Sequence, residues 1–345
     1  MKIVVVGSQG TLGNALTKFW NDPKVARRLA ERTGEALQTK RDEIVPLNLP
    51  DFDACSRMHV LATLDAIRPD VIVNAAGVNK IDWLQSRANT ARNLHEHAVS
   101  NLKAAATQSH ALLVQFSCAE IFYRNRLEHG VQDERAVAST TELARKSTPT
   151  FDSPELTDLP VDPCAPGFHE YHVPNPASVY AKTKLESERV AAEAQDSLIL
   201  RFSSLFGDST PFSSGNLIES SLNAFRRAST LSVLNDVVAE PVWTIDLVCA
   251  LKSALSLNVR GLLHLTGNSR ATPLETIQYV IERTRVRGKN AVGISLADYG
   301  VSAPHSRFKV LTSQRASDYP GLYTIPTWRE ALNDFFKWRE VQLDF

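Results

Sequence analysis

Short apolar runs alternating with helical stretches predict an α/β chain: a doubly wound parallel sheet of Rossmann type with a smaller C-terminal substrate-binding lobe. Three observations carry this. Apolar runs recur at 2–6, 43–47, 71–73, 112–116 and 198–201, helical stretches separate them, and the glycine turn GSQGTLG at 7–13 follows the first run directly. Strands that alternate with helices pair in parallel, because each crossover helix returns the chain to the same edge of the sheet.

The elements follow in order. KIVVV at 2–6 reads as a buried strand. After it, Gly7 permits a tight turn, Gly10 lets backbone approach a pyrophosphate, and Gly13 lets a helix beginning near Thr11 pack closely, its N-terminus toward the phosphates. An ordinary strand-to-helix turn is the alternative. NDPKVARRLAERTGEALQTKRD at 21–42 reads as an extra charged, solvated helix started by Asp22 and Pro23. Asp53 reads as a cap for the helix ending near Ile67, and the amphipathic stretch 90–108 precedes the fourth strand. The polar, proline-rich segment 124–177 is far longer than ordinary connections and reads as a lid or a poorly ordered excursion. It holds Cys164, His169, Glu170 and His172, zinc-ligand types at no standard spacing, so no metal is expected. SVYAKTK sets Tyr180 and Lys184 four apart on one helical face. Beyond Gly207 strands become sparse, and a helix at 273–283 opens on a capping box of Thr272, Pro273 and Glu275. The expected division is a dinucleotide-binding unit at 1–206 with the 124–177 insertion. A lobe at 207–345 follows, whose 241–266 stretch returns to the first unit.

Composition limits the function. The 345 residues carry 38 basic and 38 acidic side chains, a balance that offers nucleic acid or an anionic membrane no electrostatic footprint. No apolar run is long enough to span a bilayer, and the first residues read as a strand and not a leader, so a cytoplasmic location is expected. The four cysteines are widely separated, which argues for reduced thiols.

Ligand chemistry belongs at the carboxyl ends of the strands. The order GSQGTLG, RPDVIVNAAG, VQFSCAEIF, PNPASVYAKTK and LILRFSSLFG resembles the extended short-chain dehydrogenase/reductases. Asp82, LSVLNDVVAEPVWTIDL, GLLHLTG and IPTWREAL narrow the resemblance to the dTDP-4-dehydrorhamnose reductase branch, over almost the whole chain.

That resemblance implies NAD(P)H-dependent reduction of a 4-keto deoxysugar nucleotide, with NADP or NAD as cofactor and a homodimer left open. Gly7, Gly10, Thr11, Leu12 and Gly13 would hold the pyrophosphate. Asp53 and Ala54 would border the adenine, and Ala75, Ala76, Gly77 and Ser117 would line the cofactor. Tyr180 would protonate the sugar oxygen, with Lys184 bonding the ribose and lowering the phenol pKa. Asp82, Asn216, Glu240 and Trp243 match positions near the nucleotide sugar, although Trp243 also suits a core, and Arg201 suits a phosphate contact or a structural pair. Two departures stand out. Cys118 occupies the place of a hydroxyl donor, and a thiol donates weakly; His95 replaces a usual Asn. Glu120 sits where dehydratases place a base, but Ala119 replaces their acid. An NAD-retaining epimerase and a non-catalytic cofactor-binding subunit are the other readings. Asn48, at the end of the second strand, distinguishes neither NAD nor NADP.

Overall fold

Apolar alternation on both faces builds the sheet. The computed structural model describes residues 1–34, 41–125, 166–208, 210–211, 216–284 and 288–339. Strands β1 (Lys2–Val6), β2 (Glu43–Leu47), β3 (Val71–Asn74), β4 (Leu112–Cys118) and β5 (Ser197–Phe202) form where the apolar runs lie. Beyond them come β6 (Ser204–Phe206), β7 (Thr230–Leu234), β8 (Val238–Ala239), β9 (Pro241–Trp243), β10 (Gly261–His264), β11 (Asn290–Ile294) and β12 (Phe308–Lys309). The second half therefore holds more strands than its composition suggests. They are short and mostly paired in twos, β11 with β7, β12 with β8 and β6 with β9, too brief to give a period-two signal.

The main sheet has six parallel strands in the order β10-β5-β4-β3-β1-β2. Ile3, Val5, Val71, Val73, Leu112, Val114, Leu198 and Leu200 fill the core on one face, and Val4, Val6, Ile72, Leu113 and Ile199 fill it on the other. Burial on both faces is why these strands read as continuous apolar runs. The chain leaves β1 toward β2 on one side and β3 on the other, so the crevice at the carboxyl ends of β1 and β3 is the topological switch point.

The helices are α1 (Thr11–Phe19), α2 (Pro23–Thr33), α3 (Arg57–Ile67), α4 (Ile81–Gln85), α5 (Ala88–Arg92), α6 (Ala98–Ser109), α7 (Val179–Ala192), α8 (Leu217–Phe225), α9 (Thr244–Ser256), α10 (Pro273–Thr284), α11 (Leu296–Tyr299) and α12 (Trp328–Arg339), with a π-helical turn at Asn93–His97. Asp22 accepts the Lys24 N–H at 2.7 Å at the start of α2. In α10, Thr272 and Glu275 make the reciprocal capping bonds, at 3.1 Å from the Glu275 N–H and 2.7 Å from the Thr272 N–H. Two expectations are corrected. Helix α2 is more than a solvated face, since it buries Val25 and anchors Arg28 on Asp246 at 2.7 Å. Asp53 does not cap α3: its carboxylate accepts the Cys55 N–H at 2.9 Å, and Ser56 stands at the cap position.

Most of the 124–177 insertion, Cys164 included, lies outside the described residues. Its downstream end packs between the end of β10 and residues 311–314, where Phe168 bridges to Leu311 and the Glu170 carboxylate accepts from the backbone of His264 and Gln314 and from Ser313. Among the described residues no group of His, Cys, Asp and Glu is arranged to hold a metal, and no helix is long and apolar enough to cross a membrane.

Candidate active site

The glycine turn sits at the switch point. Gly7 has φ +80°, and a Cβ there would lie 2.5 Å from Ala76 Cα, so the turn presses directly on the end of β3. A Cβ on Gly13 would come within 2.1 Å of the Gly7 carbonyl oxygen, which locks α1 against the turn. Gly10 differs: its φ is −71°, and a Cβ would meet nothing closer than the Gly7 oxygen at 3.4 Å. The chain itself makes no demand for glycine there, whereas a pyrophosphate brought against the backbone does. No side chain caps α1, so its first-turn N–H groups, at Thr11, Leu12 and Gly13, keep the partial positive charge that attracts phosphate. The Ser117 hydroxyl, 2 % exposed at the end of β4, has no hydrogen-bond partner among the described residues. These features fit a dinucleotide.

Helix α7 delivers the second half of the site. Ser178 caps it by accepting the Ala181 N–H at 3.1 Å, and this sets Tyr180 and Lys184 on the inward face, 8 % and 9 % exposed. The Cys118 thiol donates to Tyr180 Oη at 3.5 Å, so sequence positions 62 apart meet as the resemblance implied. Leu84 and Ala91 pack around the phenol, with Val78, Ile81 and Val179 at the margin. Burial pushes the phenol pKa well above its ordinary value, and the neighbouring thiol and Glu120 push it further. Burial pushes the Cys118 thiol up as well, so it remains a thiol and a donor. The Lys184 ammonium donates to the Phe116 carbonyl at 2.7 Å, and burial lowers its pKa. The amine is thus anchored on β4, and burial keeps the phenol protonated.

His95, in the π-helical turn, stands beneath the phenol, ring to ring at 5.6 Å and edge-on. Its Nε2 accepts the Val78 N–H at 3.4 Å, and its Nδ1 lies 2.9 Å from the Thr183 oxygen, whose own proton goes to the Tyr180 carbonyl at 3.0 Å. That pattern requires a neutral ring with its proton on Nδ1. Burial and the Lys184 charge lower its pKa to about 3.

The other expected residues are placed less uniformly. Ala75 and Ala76 line the crevice, with the Ala75 N–H on Val6 at 2.9 Å and the Ala76 N–H on Asn74 at 3.1 Å, and Gly77 follows with φ +153°. Ala54 presents its carbonyl to Asn101 at 3.0 Å beside Asp53. Asp82 binds residues 302–305, accepting from Ser302 and Ala303 N–H groups at 2.7 and 2.9 Å and from His305 at 3.0 Å. Asn216 caps α8 through the Glu219 N–H and donates to the Gly207 carbonyl. Glu240 has a structural role in place of the expected contact with a nucleotide sugar, and Trp243 takes the core position that its sequence context also suited. Glu240 is fully buried, with its carboxylate on Thr266, Gly267 and Ser269, and Trp243 is wedged edge-on against Phe335 and Trp338. Arg201 is likewise structural, clamped in two bonds by Glu188 at 2.9 and 2.6 Å.

A family model described as the RmlD substrate binding domain matches residues 1–136 and 160–340. The chain belongs to this family. Among its relatives, the dTDP-4-dehydrorhamnose reductase of Aggregatibacter actinomycetemcomitans is 22% identical over 273 residues, covering 77% of this chain and 73% of that protein. The dTDP-4-dehydrorhamnose reductase of Salmonella typhimurium is 26% identical over 283 residues, covering 78% and 79%. The crystal structure of the Bacillus anthracis dTDP-4-dehydrorhamnose reductase in complex with NADP shares the fold, with a TM-score of 0.76 at 19% identity over 98% of this chain and 99% of that one. Against the RmlD family background, the sequence reading missed one set of residues: Ser302, Ala303, His305, Ser306 and Lys309, which reach Asp82 and Glu120 from the lobe. No local motif marks them; the unexplained Glu120 was the only signal.

Proposed function

We propose that this RmlD-family chain reduces the 4-keto group of a deoxysugar nucleotide, with NADPH or NADH as reductant. The observation that carries this reading is the convergence of Tyr180 and Cys118 at the end of β4, on the same sheet edge as a glycine turn shaped for a dinucleotide. When bound, the nicotinamide cofactor supplies the hydride. The chain supplies the rest. Gly10 and the first turn of α1 hold the pyrophosphate, and the Ser117 hydroxyl gives the cofactor a buried partner. Tyr180, kept protonated by its surroundings, donates its proton to the sugar oxygen as negative charge develops there. The Cys118 thiol then donates to the phenolate oxygen left behind, and Lys184 offers the nearby positive charge. The dehydratase-like position of Glu120 is not available as a base: Lys309 lies 2.7 Å from one carboxylate oxygen, and the Ser306 N–H donates to the other.

The test follows absorbance of reduced cofactor while purified protein meets a panel of 4-keto sugar nucleotides. Stoichiometric consumption is expected with at least one. Tyr180→Phe should lower the rate by about 10²- to 10⁴-fold, the usual worth of a positioned acid. Cofactor binding without consumption of any substrate would overturn the reductase reading, and function unchanged in Tyr180→Phe would favour a binding subunit.

A further inference from the structure

Residues 302–312 belong to the second half of the chain yet cross the carboxyl ends of three neighbouring strands of the main sheet. Beyond β3, Asp82 takes the Ser302 and Ala303 N–H groups and His305 Nε2. Beyond β4, Glu120 takes the Ser306 N–H at 2.9 Å and the Lys309 ammonium at 2.7 Å, while Arg124 exchanges backbone bonds with the Ser306 hydroxyl and the Arg307 N–H at 3.1 and 2.7 Å. Beyond β5, the Ser203 hydroxyl donates to the Lys309 carbonyl. Phe308, Val310 and Leu311 complete the contact by packing on Ala119, Ile121 and Phe122. The segment is a strap laid over the strand ends that carry Cys118 and face Tyr180.

Glu120 is only 6 % exposed and two residues from Cys118. A buried carboxylate requires a cation, but an ion pair of this kind gains little over an apolar pair of the same shape once desolvation is counted. What an apolar pair would not reproduce is direction: the pair fixes Lys309, and with it the strap, at one place over the end of β4, two residues from Cys118. We propose that Glu120 and Lys309 are positioning residues for the substrate, holding the strap as the wall against which the keto-bearing sugar ring of a nucleotide sugar lies when its oxygen meets Tyr180. The proposal rests on the keto-reduction reading for its substrate. Its test compares Glu120→Gln, Lys309→Met and the double variant, measuring KM and kcat for the nucleotide sugar, cofactor Kd and Tm. Each single variant should raise KM at least about tenfold with cofactor Kd nearly unchanged and kcat moved by less, since the Glu120 charge also acts on the phenol; a KM effect larger than the kcat effect is the signature of lost binding shared by ground and transition states. The double variant removes the stranded charge and should regain Tm while keeping the raised KM. Recovery of KM together with Tm would mean the pair only balances charge, and unchanged KM in the singles would equally overturn the proposal. Amide hydrogen exchange at Ser302, Ala303 and Arg307 reads the strap without turnover. Faster exchange in the double variant supports the tie even if the wild type consumes no NAD(P)H with any substrate, whereas unchanged exchange overturns it whatever the wild type catalyses.

Discussion

Three glycines in one turn play unequal parts, and the inequality is testable. Gly13 and Gly7 are demanded by the chain itself, since any side chain there collides with backbone at 2.1 and 2.5 Å. Gly10 is demanded only by what the turn binds. Gly10→Ala should therefore leave Tm within a few degrees of wild type while weakening NADPH binding by at least about tenfold, as measured by calorimetry. Gly13→Ala should lower both, because the turn must open to admit the methyl group. Equal losses in the two variants would mean that Gly10 also serves packing. The glycines themselves were legible in the sequence, as were Tyr180 and Lys184. Their division of labour was not, because it depends on the distance from each missing Cβ to atoms brought in by β3 and α1.

At the scale of elements, the helical stretch before β4 shows how a regular pattern conceals an irregular one. The amphipathic stretch 90–108 suggests one continuous helix, yet the chain widens to a π-helical turn at Asn93–His97 and directs His95 under the phenol. The buried, neutral ring carries a pH dependence whose sign follows from its depressed pKa. Its ordinary value near 6.5 applies when the chain is unfolded and about 3 when folded, so its contribution is complete above pH 6.5 and is lost as pH falls toward 3. Burial also lowers His172 and His264, each to about 4, so the three titrate in the same direction. Each should cost up to about 1.4 kcal/mol per pH unit below 6.5. Denaturant unfolding of wild type between pH 7 and pH 5 should show this slope, and His95→Asn should flatten it by about one proton. An unaltered slope in that variant would show that His95 is solvated or already charged in the folded protein.

Across the whole molecule, buried charges join parts of the chain that composition alone would leave apart. Arg28 of α2 lies 2.7 Å from both Asp246 of α9 and Asp334 of α12, and the Tyr323 hydroxyl donates to Asp246 at 2.5 Å. The sequence around Arg28 reads as a charged, solvated face, because a helix rich in Lys and Arg looks the same whether water or a distant carboxylate meets it. Asp246→Ala should cost about 1–3 kcal/mol of unfolding free energy, since it leaves Arg28 with Asp334 alone and takes the acceptor from the buried Tyr323 hydroxyl. Replacing Arg28 together with Asp246 by apolar residues should recover much of that loss, and failure to recover would show that packing and not charge dominates there.

The alternation that makes a parallel sheet, the glycine turn and the Tyr180–Lys184 helix are legible in the residues alone, because each is written in positions at most a few turns or one strand apart. Only the folded chain shows that Glu240 belongs to the core, that Arg28 pairs with distant carboxylates, and that a strap from residues 302–312 neutralises Glu120. Those outcomes depend on which segments a twisted sheet brings to one edge, and on the cost of leaving any charge in that crowded space without a partner.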